Sequence, residues 1–128
     1  MMESRQLGAY ISRGRVGIGL AAMVAPGTTL ALMVGRGSNS AAARVVTRMF
    51  GVRDCVLGAG GSIAVGQRSG GGDWLSMMAL ADAFDGVVML ATPGLPKRAR
   101  LIGVCAIGAA VTHLYLSRDI AAEEHLGP

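Results

Sequence analysis

The stretch LIGVCAIGAAVTHLYLS, Leu101–Ser117, is seventeen residues long and carries no charge. A helix that crosses the hydrocarbon of a bilayer needs about 20 mostly apolar residues, with a range of about 17–25. No helical wheel gives this run a wet side, so a helix built from it has no face for water. The rest of the chain repeats the theme. Twenty uncharged residues lie between Arg15 and Arg36, and thirteen between Asp54 and Arg68. From Trp74 to Pro96 only Asp82 and Asp85 interrupt the apolar residues.

These runs predict an all-α fold, a four-helix transmembrane bundle forming a single integral membrane domain over residues 1–128. The spans are expected at about 7–25, 41–67, 74–92 and 97–117, followed by a polar tail at 118–128 that frays. Pro26-Gly27 ends or kinks the first span, because proline removes a helix hydrogen bond and keeps the preceding residue out of the α region. The apolar stretch 28–34 is then either a kinked continuation of that span or a short helix at the membrane interface. Ser38, Asn39 or Ser40 can cap the second helix, and Asp73 suits the cap of the third. Pro93-Gly94-Leu95-Pro96 closes the third span.

Composition agrees. Of 128 residues, 52% are hydrophobic, 16% are charged, and the mean hydropathy is +0.49. An average soluble domain is about 25% charged. Low charge with high hydrophobicity excludes a disordered chain. Two cysteines, Cys55 and Cys105, exclude a disulfide scaffold. A cleaved leader would place Arg13 and Arg15 before an apolar segment at 16–25, but three further apolar segments argue that this one is retained. Orientation stays open. One side would hold Arg5, Arg13, Arg15, Arg68 and Arg118, the other Arg36, Lys97, Arg98 and Arg100, with Arg44 near the boundary. That balance gives the positive-inside rule nothing to act on. The net charge of +4 reads as interfacial anchoring, since no basic-aromatic interleaving marks a nucleic-acid surface.

In lipid, helices associate through close packing and interhelical hydrogen bonds. Small residues at four-residue spacing on the first, second and fourth spans favour a tight bundle. The informative feature is charge at depth. An ionised side chain at the centre of a membrane helix costs at least about 2.5–3.5 kcal/mol. Arg48 and Arg53 are five residues apart, about 140° round the helix, and cannot share a face. Asp82 and Asp85 are three apart, share a face, and sit near the middle of their span. Two carboxylates there repel, so either one is protonated or arginines from the second span neutralise them as bidentate partners. The expected site is an intramembrane cluster of Arg48, Arg53, Asp54, Asp82 and Asp85, with His113 and Tyr115 as outer members. No metal site or cofactor is expected: neither cysteine has a CxxC or CxxH partner, and Gly70-Gly71-Gly72 is not followed by GK[ST].

Two motifs carry a resemblance. Arg48 to Gly58 reads R-x-x-G-x-R-D-x-x-L-G, and Asp82-Ala83-Phe84-Asp85 reads D-x-x-D. Together they resemble a family of small bacterial four-helix integral membrane proteins of unknown function, over roughly residues 8–117. The resemblance implies four spans, a membrane location, and a polar core on Arg48, Gly51, Arg53, Asp54, Gly58, Asp82 and Asp85; the location expected overall is a bacterial inner membrane. It implies no reaction. A looser likeness, in architecture alone, exists to four-helix membrane proteins of the DoxX type.

Two functional readings follow. In the first, the chain is a non-enzymatic component of a membrane assembly. Its partners are the bilayer and other membrane subunits or itself, and the ion cluster latches its helices. In the second, it is a small membrane enzyme or carrier for a lipid or quinone-like molecule. There Asp82 or Asp85 accepts a proton, and Arg48 or Arg53 clamps an anion.

Overall fold

The computed structural model describes residues 2–126 and is helical throughout. The helices are α1 (Met2–Val24), α2 (Pro26–Met33), α3 (Ala41–Gln67), α4 (Gly71–Ala91) and α5 (Lys97–His125), with one 3-10 turn at Arg36–Ser38. No strand occurs among the described residues. Helices α4 and α5 are each long and apolar enough to cross a membrane. α1 reaches that standard only together with α2, across a bend of 112°. Two or three apolar spans therefore stand where four were expected. The difference lies in α3, whose first half carries Arg44, Arg48, Arg53 and Asp54.

Charge on α3 falls on more than one side: Asp54 is buried and Arg53 half-buried, while Arg44 and Arg48 are exposed. Gly51, Asp54, Gly58, Gly61 and Val65 are buried along one side. Val45, Val52, Val56 and Ile63 project from the other, and Val56 is 57% exposed. On α1, Ser12 and Arg15 are buried while Ile18, Leu20 and Val24 are exposed. Arg13, two residues from Arg15, is exposed, because two residues turn a helix by about 200°.

The long helices form two antiparallel hairpins. α1 runs against α3 with Arg5 opposite Val65, Ser12 opposite Gly58, and Gly19 opposite Gly51. A Cβ on Gly19 would stand 2.6 Å from the Gly51 carbonyl oxygen, and one on Gly51 the same distance from that of Gly19. The two backbones touch there, and only glycine permits it. α4 runs against α5 with Gly72 opposite Ser117 and Gly86 opposite Gly103. Between the hairpins, contacts are far sparser than within them. The apolar core there, Val65, Leu75, Met78, Leu116 and Ile120 with Ala9 and Ile11, gathers towards the end that holds residues 2–12.

Element boundaries follow expectation at Pro26 and Ser40 and depart from it in α4 and α5, where tertiary contacts take over. Residues 26–33 form a separate helix, turned away at Ala25 because Pro26 cannot continue α1. Ser40 caps α3, its hydroxyl accepting from the Ala43 N–H at 3.1 Å. α4 begins at Gly71 rather than Trp74. Asp73 is not its cap; Glu124 Oε1 accepts from the Gly71 N–H at 3.2 Å, reaching across from α5. α5 continues to His125, through the segment expected to fray. Ile120 is fully buried, Asp119 accepts from Ser4, and Arg5 Nε donates to Glu123 at 2.7 Å. These contacts hold the last two turns against α1.

Candidate functional site

Four helices each bring charged or titratable groups to one level near their midpoints. Arg15 comes from α1, Arg53 and Asp54 from α3, Asp82 and Asp85 from α4, and His113 from α5. Arg15 is the centre. Its Nη1 donates to Asp82 Oδ2 at 3.1 Å and its Nη2 to Asp82 Oδ1, while its Nε donates to Asp54 Oδ1 at 3.2 Å. Arg53 makes a second fork, donating to Asp85 Oδ1 at 2.9 Å and Oδ2 at 2.5 Å. Its Nη2 also reaches Asp54 Oδ1 at 3.3 Å, and its guanidinium lies 4.8 Å over the Phe50 ring. The two carboxylates of α4 therefore answer to arginines on two different helices. A planar guanidinium suits this, since it presents paired N–H groups to a carboxylate and keeps its charge when buried.

His113 completes the wall. Its side chain is only 3% exposed, and its Nδ1 stands 2.9 Å from Asp82 Oδ2. That approach lacks the alignment of a hydrogen bond, and Nε2 has no partner at all among the described residues.

Of the residues expected together, Arg53, Asp54, Asp82, Asp85 and His113 meet in this network. Arg48 does not. It sits one turn from the bend, where its Nε donates to the Met23 carbonyl at 3.2 Å. That carbonyl lies in the last turn of α1, where helix carbonyls lack an internal partner. Tyr115 is 70% exposed and faces outward. The residue that sequence reasoning missed is Arg15. Its signal was positional: it lies near the middle of the span expected at 7–25.

The network borders a cavity of about 380 Å³. Ile11 and Ile18 of α1 face Ile102, Cys105 and Ala109 of α5 across it, and Met33 of α2 reaches in from one end. Arg15, Asp54, Asp82, Asp85 and His113 form the polar part of its wall. The cavity is partly open rather than sealed. A larger hollow of about 450 Å³ near Glu3, Tyr10 and Tyr115 has Glu3, which is exposed, as its only charged wall residue. It lacks the buried ions that mark the first. No family model, curated protein or solved structure matches this chain. The site is therefore argued from its own geometry. Both guanidiniums are already forked onto carboxylates of the same chain; Arg53 Nε is left buried without a partner among the described residues, but Arg53 does not line the cavity. The polar residues lining the cavity are His113, which carries an unpartnered imidazole nitrogen, and a cluster richer in carboxylates than in guanidiniums.

Proposed function

We propose that this chain is a multi-pass protein of a bacterial inner membrane, with α1, α3, α4 and α5 all crossing the bilayer. It serves there as a non-enzymatic component whose ion network fixes how its two hairpins pair. The observation that carries this reading is the pairing of Arg15, Arg53 and Asp54 inside the bundle, with Ile18, Val52 and Val56 exposed on the same helices. A helix can hold Arg53 and Asp54 within a membrane when both turn inward and Val52 and Val56 meet the lipid. Ionisable residues inside a bilayer are retained where they face the bundle interior and find partners. Hydroxyls behave in the same way: Ser12, Thr47, Ser76 and Thr112 each donate to the carbonyl four residues back, so none needs water. The resemblance in the R-x-x-G-x-R-D and D-x-x-D motifs points in the same direction.

A second reading is favoured by the cavity. A void beside the network, walled by isoleucines, suits a carrier or binding subunit that receives an amphipathic molecule from the lipid.

Single cysteines test the number of crossings. In a chain whose Cys55 and Cys105 are replaced by alanine, Ser38→Cys and Ser69→Cys flank α3. If α3 crosses, a membrane-impermeant thiol reagent labels the two positions from opposite faces of sealed vesicles. Labelling of both from one face removes α3 from the membrane and with it the four-span reading. Association with partner subunits is checked by native mass spectrometry of the purified protein, which shows bound chains, bound lipid or neither.

A further inference from the structure

Charge in the central network does not balance. Asp54, Asp82 and Asp85 bring three carboxylates, and Arg15 and Arg53 bring two guanidiniums. With His113 neutral the network is one positive charge short. Every charged or titratable group facing it is in view: Arg15 on α1, Arg53 and Asp54 on α3, Asp82 and Asp85 on α4, and His113 with the Cys105 thiol on α5. α2 contributes none. An uncompensated buried charge is costly, and it is relieved by a proton or by another cation. His113 is the natural seat for the proton, with Nδ1 already 2.9 Å from Asp82. The open cavity is the natural seat for the other cation.

From this balance, and resting on the membrane reading above, we infer that the cavity binds a lipophilic ammonium, a protonated amine on an apolar tail, in competition with one proton. The ammonium supplies the missing charge. One of its N–H groups donates to His113 Nε2, the buried nitrogen that has no partner among the described residues. The tail lies along Ile11, Ile18 and Ile102. Anionic heads are disfavoured, because they add to the excess negative charge. Uncharged heads reach the imidazole but leave the charge uncorrected. The ligand and the proton satisfy the same deficit, so binding one expels the other.

The test is made on the full chain in lipid nanodiscs, with decylammonium, decanol and decanoate as probes of equal chain length. Binding is read from the His113 imidazole ¹⁵N signals and from stabilisation against heat. Decylammonium is expected to saturate and to shift both Nε2 and Nδ1, with decanol and decanoate at least tenfold weaker. Its affinity falls as the pH is lowered, by at most about tenfold per pH unit, as single-proton competition requires. Asp85→Asn, which removes the excess charge, lowers decylammonium affinity at least tenfold. His113→Gln weakens binding severalfold and abolishes its dependence on pH. Arg48→Gln, outside the network, changes neither. Equal binding of decanoate or decanol, undiminished binding by Asp85→Asn, or no saturable binding in a well-inserted protein each overturns the proposal. If Asp85→Asn does not fold, the three-probe comparison and His113→Gln still decide. Failure of the chain to enter nanodiscs sinks the membrane reading as well, whereas insertion without binding sinks the site alone.

Discussion

The two ends of this bundle are built on different physics. Towards residues 2–12 the hairpins meet through Leu75, Met78 and Ile120, all fully buried, with Arg5, Glu123 and Glu124 joined at the rim. Towards α2 the same four helices enclose a 380 Å³ cavity, and what joins the hairpins beside it is the Arg15 and Arg53 network. Apolar packing in lipid is non-directional and gains little over lipid contact. Forked ion pairs are directional and expensive to break. The difference teaches that the closed end gives the bundle bulk cohesion, while the network selects which face of one hairpin meets the other. It also lets the open end stay open, because the helices there are held by the ions rather than by filling the space between them.

The largest expected effect breaks the network. Arg15→Gln leaves Asp82 buried against His113 alone and removes one of the two cations on Asp54. Removing one partner of a buried pair costs about 3–5 kcal/mol. Thermal unfolding followed by the fluorescence of Trp74, the single tryptophan, should register that loss. Asp82→Asn in the same chain should recover part of it, since the orphaned carboxylate is then neutral. No recovery in the double variant would mean the pair is incidental to hairpin docking.

Next comes the closed end. Leu75→Ala opens a void in the packed core, at a cost of about 2–5 kcal/mol for a buried leucine in general. The lower end of that range is expected here, because the vacated space borders lipid-facing helices that can settle inward. The comparison between the ends stands if Arg15→Gln destabilises more than Leu75→Ala. It falls if the order reverses, because packing would then dominate at both ends.

How much of this was legible in the sequence follows the same division. Apolar run length located the long helices, and the spacing of Asp82 and Asp85 identified a shared face that needed cations. The angle between Arg48 and Arg53 was the unused clue. Only one of them can face inward, so the second guanidinium had to come from another helix. Arg15 supplies it, hidden from a linear reading because Arg13, two residues away, makes the pair look like an interfacial flank. The helical extents of 71–73 and 118–125 were illegible for a different reason. Their stability comes from Glu124 on Gly71 and from Arg5 on Glu123, contacts between residues 53 and 118 positions apart. Local propensity carries no trace of such partners.

The smallest expected effect sharpens the comparison at its outer edge. Arg48 was expected in the ion cluster, yet its guanidinium hydrogen-bonds the Met23 carbonyl and is exposed. A net hydrogen bond from a charged donor contributes about 1.5–3 kcal/mol at most, and exposure reduces it towards the 0.2–1 kcal/mol of surface ion pairs. Arg48→Gln should therefore cost about 1 kcal/mol or less and leave the Arg15 network intact, measured by the same Trp74 unfolding. Gln still reaches the carbonyl as an uncharged donor, so Arg48→Leu should cost slightly more. A loss approaching that of Arg15→Gln would place Arg48 among the groups that hold the hairpins, and would move the functional boundary of the site one turn towards the bend at Pro26.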